Sequence, residues 1–63
     1  MPDFIFSNHG SVCLLAPMSG AAKNWLDEHI GGDALYLGRS LAIEPRYVED
    51  ILDGIAAEGM EVA

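Results

Sequence analysis

A nucleophile needs a base within hydrogen-bonding reach, and one thiol in this chain is a formal candidate for the part. Cys13 stands in the run "SVCLLA" beside Val12, Leu14 and Leu15. A thiol buried among such neighbours keeps a high pKa and is inert, so Cys13 reads as structural. Ser7, Ser11, Ser19 and Ser40 all sit at turn or cap positions, and no G-x-S-x-G elbow surrounds any of them. The two histidines fare no better. His9 occupies "SNHGSV", a short polar break between apolar runs, where Asn8, His9 and Gly10 make a hairpin corner. His29 closes "DEH" at 27 to 29, but consecutive helical side chains point about 100° apart and do not converge on one ion. Neither a metal nor a cofactor is expected, and the glycines lack the spacing of a phosphate-binding loop.

The remaining polar residues that could meet a partner are Glu49, Asp50 and Asp53, an acidic helix face, together with the turn residues Asn8, His9 and Arg39. Glu49 and Asp53 lie one turn apart, a spacing that general acid and base work can use. Without a cleft around them they read as a solvated face. The sequence therefore points to a small acidic protein that is not an enzyme. Its expected role is a protein–protein interaction module that forms a homodimer. The alternative is a small enzyme or ligand-binding domain whose site gathers Asn8, His9, Trp25 and Arg39 at the turn end of the sheet.

The elements that would position these residues are legible in outline. The chain has 63 residues, is 51% hydrophobic and carries a net charge of -7. That is enough apolar material for one small domain over residues 1–63, and more than a disordered segment would hold. Ten acidic residues against three basic ones disfavour direct contact with nucleic acid, whose binders cluster Lys and Arg. They suit a basic protein partner instead. One cysteine permits no internal disulfide, and no apolar run approaches the length of a membrane span, so a reducing cytoplasm is the expected setting.

"DFIFS" and "SVCLLA" read as a hairpin with a three-residue loop of Asn8, His9 and Gly10, which pairs Phe4 with Leu14 and Phe6 with Val12. One face then carries Phe4, Phe6, Val12 and Leu14, and the other Ile5, Cys13 and Leu15. Both faces are apolar, so a layer of helices should cover one and a second copy of the chain the other. "SGAAKNWLDEHIG" predicts a helix capped by Ser19 and stopped by Gly31. "ALYLGRSLAIEP" predicts either a second tight hairpin turning on Gly38 and Arg39, for which the two-residue Gly-X loop suits a type II′ turn, or a strand broken there by a bulge. "EPRYVEDILDGIAAEG" predicts a helix that opens at Pro45 and closes at Gly59, with Arg46 paired to Glu49 or Asp50. Gly54 inside that helix costs roughly 1 kcal/mol relative to Ala, so either a neighbour approaches that surface closely or the cost is simply tolerated. The expected core is Phe4, Phe6, Val12, Leu14, Trp25, Leu26, Ile30, Val48, Ile51, Leu52 and Ile55.

The fold class is α+β: a small, mostly antiparallel sheet with two helices on one face, in the order ββα-ββα, with a possible short strand in "MEVA". Over nearly its whole length the pattern "NHGSVCLLAP", "AAKNWLDEHI", "DALYLG" and "LAIEPRYVEDILDGI" resembles a family of short bacterial, phage and plasmid proteins of about this length with no assigned function. The resemblance implies a self-contained small protein in a bacterial cytoplasm. It transfers no site residues.

Overall fold

The computed structural model describes residues 1–31 and 34–63. Strands β1 (Phe4–Asn8) and β2 (Cys13–Pro17) lead into helix α1 (Gly20–His29); β3 (Tyr36–Leu37) and β4 (Ser40–Ile43) lead into α2 (Pro45–Ala57). The four strands form one antiparallel sheet in the order β1-β2-β4-β3. The α+β architecture and the ββα-ββα order are those the sequence predicts. "MEVA" does add to the sheet: Val62 bridges to Phe4 in parallel, with the Phe6 N–H donating to the Ala63 carbonyl at 2.9 Å. These residues cover the free edge of β1.

Helix boundaries follow from local chemistry. Ser19 Oγ accepts the Ala22 N–H at 3.1 Å, and Gly31 leaves α1 at φ 77°. Both ends are as expected, and residues 32 and 33 beyond Gly31 lie outside the described residues. Pro45 opens α2. At its end Gly59, at φ 75°, donates to the Ala56 carbonyl and Met60 to the Ile55 carbonyl, a Schellman closure that folds Met60 back onto the core.

The first hairpin departs from expectation. Its register pairs Phe4 with Pro17, Phe6 with Leu15 and Asn8 with Cys13, and the His9 N–H donates to the Val12 carbonyl at 2.9 Å. The turn is therefore centred on Gly10 and Ser11, with Gly10 at φ 83° as its first central residue. An odd shift of register exchanges the faces. Cys13 and Leu15 join Phe4 and Phe6 on the helix-covered side, whereas Leu14 moves to the other side with Ile5. The second hairpin holds as expected: Leu37 pairs with Ser40 around Gly38 and Arg39, and Gly38 takes φ 64°.

The core lies between the sheet and the two helices. It joins Phe4, Leu15, Leu41 and Ile43 from the strands to Ala22, Trp25 and Leu26 of α1 and Ile55 of α2. Phe6, Ile30, Val48, Ile51 and Leu52 pack against it from partly buried positions. Val12 and Leu14 are only half-buried and are not core members, contrary to expectation. The benzo edge of Trp25 rests on α2 at Gly54, where an added Cβ would stand 3.0 Å from Cζ2 and 3.4 Å from Cη2. Phe4 meets the indole edge-on at a centroid distance of 6.4 Å, and His29 stacks on it at 4.3 Å.

Two measurements check this arrangement. Leu15→Ala should cost roughly 2–5 kcal/mol in urea unfolding, whereas Leu14→Ala at equal, dilute concentration should cost well under half as much. The reverse order would restore the expected register. Gly54→Ala should gain roughly 1 kcal/mol of helix propensity and lose roughly 1–3 kcal/mol to overpacking against a boxed indole. A net loss of stability is expected, and a net gain would show that Trp25 yields freely.

Candidate functional site

The hairpin corner comes first. Asn8 Oδ1 accepts the Gly10 N–H at 2.9 Å, an Asx turn that holds the corner, and His9 Nε2 lies 3.0 Å from Ser7 Oγ. Both bonds are local and exposed. His9 faces no second titratable group within this network and serves as the corner of a hairpin.

Arg39 stands elsewhere. β1 and β4 both run antiparallel to β2, so they point the same way; β1 runs into its turn and β4 runs out of its own. The two turns therefore sit at opposite ends of the sheet. The site imagined from Asn8, His9, Trp25 and Arg39 at one end does not form, and Trp25 lies in the core rather than at either turn. Arg39 instead lines an open cavity of about 600 Å³ with Ser19, Lys23, Asp27 and Tyr36. All of these except the half-buried Ser19 are exposed, so the cavity is a solvated cleft.

The acidic face is present as the sequence has it: Glu49, Asp50 and Asp53 are all exposed on α2. Arg46 does not pair with Glu49 or Asp50. Its Nε contacts Glu44 Oε2 at 2.8 Å, and its guanidinium lies 4.8 Å from the Tyr47 ring centroid. Glu44 is the residue before Pro45 and has extended backbone, which leaves its side chain free to meet Arg46 two residues on. The pair is exposed and worth little to stability.

Three features were missed or misplaced in the reading of the sequence. The first is Asp3, whose Oδ1 accepts the Ser19 hydroxyl at 2.8 Å and whose Oδ2 accepts the Glu61 N–H at 3.0 Å. The Glu61 amide above all, and then the Ser19 hydroxyl, hold the Asp3 carboxyl below its ordinary value against a smaller opposing effect of burial. One carboxylate thereby ties the cap of α1 to the segment paired with β1.

The second is the outer face of the sheet. Ile5, Leu14, Ala16, Leu37 and Ala42, with Ser7 and Ser40, project away from the helices by strand alternation, and no strand contains a charged residue. Ile5 and Leu37 are 39% and 53% exposed. The expected spare apolar face thus exists, but it is built from Leu14, Ala16 and Ala42 around Ile5, not from Cys13 and Leu15. The signal lay in the same alternation, read one register away.

The third is a groove of about 580 Å³ between the start of α2, β4, the residues Ile30, Ala34 and Leu35 ahead of β3, and Val12 before β2. Leu41, Ile43 and Ile51 line its floor, and Glu44, Tyr47 and Asp50 border it. It draws on four separate parts of the chain, so no single stretch of sequence announces it.

Among the described residues, no three His, Cys, Asp or Glu side chains gather in a geometry that could hold a metal ion, and no helix is long and apolar enough to cross a membrane. Cys13 is buried. The Trp25 Nε1 is buried with no hydrogen-bond partner among the described residues, although a buried indole N–H normally finds an acceptor. Its ring position is set by Gly54, Phe4 and His29 instead.

Because the Asp3 carboxyl is held low in the folded chain, its contribution is fully present above the ordinary carboxylate pKa of about 3.9 and is lost as pH falls through the lower folded value. Asp3→Asn should therefore flatten the acid limb of the stability profile below about pH 4 relative to the parent chain, while leaving the profile near pH 7 parallel to it. Identical acid limbs would show that Asp3 is not the clasp. Comparison with known proteins finds no matching family model, no matching curated protein and no matching solved structure.

Proposed function

We propose that this protein is a non-enzymatic interaction module that self-associates through the outer face of its sheet. The observation that carries the reading is the charge-free, apolar character of that face on a chain of net charge -7. Two copies that meet through their acidic helix faces bring like charges together, a repulsion that grows as water is excluded. Two copies that meet through Ile5, Leu14, Ala16, Leu37 and Ala42 do not. The small Ala16, Ala42, Ser7 and Ser40 side chains favour the approach of two sheets to about 10 Å.

The expected assembly is weak. Four strands spaced about 4.8 Å apart, each a few residues of about 3.4 Å, offer roughly 300–400 Å² per copy. A standard stable interface takes about 800 Å² per partner. The dimer should therefore dissociate on dilution. A reducing cytoplasm suits this reading, since the lone Cys13 thiol is buried and has no partner to oxidise with.

Light scattering behind size exclusion tests it. The parent chain should move from its monomer mass of 6.7 kDa toward twice that value as concentration rises. Leu14→Glu combined with Ala42→Glu should hold it at the monomer mass at every concentration, with an unchanged circular dichroism spectrum. A parent chain that stays monomeric to millimolar concentration would remove self-association, and a double variant that still dimerises would move the contact to another surface.

A further inference from the structure

The groove beside α2 borders the outer sheet face at Val12 and Ala42 but draws on none of Ile5, Leu14, Ala16 or Leu37. Its floor is Leu41, Ile43 and Ile51, and its rims carry Leu35, 65% exposed, and Tyr47, 48% exposed. Among the described residues the charged ones that line it are Glu44 and Asp50, both acidic, with no Lys or Arg in the lining. By helical spacing Asp53 continues the acidic edge one turn beyond Asp50. Of the three basic residues in the chain, Lys23 and Arg39 border the separate cleft at the start of α1, and Arg46 is bound to Glu44.

We infer that this groove is a docking site for a segment of another protein that presents apolar side chains one helical turn apart, flanked by lysine or arginine. The apolar floor supplies the gain from burial, and the acidic edge selects the sign of the flanking charge and speeds encounter. Charge complementarity decides the occupant. A second copy of this chain brings a net charge of -7 to an acidic edge, and the stretch in which two arginines flank an apolar pair, Arg39 to Arg46 around Leu41 and Ile43, has both apolar residues buried in its own core. An acidic or neutral segment would leave Asp50 desolvated without a counter-charge. The proposal does not depend on self-association, and each can fail alone.

The probe is a synthetic peptide of about twelve residues, roughly 18 Å long as a helix, with leucines at i and i+4 among lysines. Two controls replace the leucines by serine or the lysines by glutamate. Titrated into the isotope-labelled full chain, the leucine–lysine peptide should shift the amides of Leu35, Ile43, Tyr47, Asp50 and Ile51 saturably. The serine control should bind about tenfold more weakly, and the glutamate control should shift nothing. Asp50→Lys and, separately, Leu35→Ser should each weaken the leucine–lysine peptide about tenfold; both positions are exposed, so the fold should persist. The proposal is overturned if the serine control binds as well as its parent, which would be charge attraction alone. Shifts confined to the outer sheet face, no saturable binding by the millimolar range, or groove shifts that appear on concentrating the chain without peptide would each overturn it too, the last by naming a second copy as the occupant.

Discussion

The packing of Trp25 against Gly54 is the contact on which the arrangement of both helices depends. An indole is the largest side chain available, and α2 can approach α1 over it only where α2 has no Cβ. Glycine inside a helix costs roughly 1 kcal/mol relative to alanine, so the sequence carries a local penalty for a tertiary contact. The contact fixes more than one distance. With Phe4 edge-on and His29 stacked, the indole is held on three sides, and its position ties β1 to both helices at once. In a chain this short a single such wedge replaces the several layers a larger core would use.

Asp3 acts at the ends of the same body. A helix cap, a segment alongside β1 and the chain before β1 would otherwise each fray independently, as terminal segments do. One carboxylate accepting from Ser19 and Glu61 joins them, and the Met18 N–H donating to the Asp3 carbonyl at 2.7 Å draws the same strands together. The remaining sheet edge, β3, is only two residues long, which offers little template for further pairing.

How much of this was legible depended on whether the decisive chemistry was local. Ser19, Gly31, Pro45 and Gly59 act within a turn of where they stand, and the helix ends are where they predict. Gly38 and Arg39 are bracketed tightly by apolar runs and fix the second hairpin. "SNHGSV" is different, since its single glycine suits either the last place of a three-residue loop or the first central place of a tight turn. Only the pairing of Phe6 with Leu15 decides, and that is a long-range fact. The error propagated because alternation turns one odd shift into an exchange of Cys13 and Leu15 for Val12 and Leu14. Arg39 and His9 were separated by sheet order, which no run of residues states. The acidic residues of α2 were legible as a face, but the groove beside them needed the end of β4 and Leu35 brought near.

Charge and apolar surface are partitioned in this molecule rather than mixed. Among the described residues every strand is free of charge, and the acidic residues lie on the helices, in the connections and in the terminal segments. A high net charge of one sign keeps copies apart at long range and suppresses indiscriminate contact between exposed apolar patches. Such a chain can carry uncovered apolar surface safely only where the approaching body satisfies the electrostatics as well as the shape. The outer sheet face has no charge to oppose an approaching copy, and the acidic edge of the groove favours a basic body over an acidic one. Under the two proposals made above, the same charge would sort the occupants into two kinds, like copies on the sheet and basic segments in the groove.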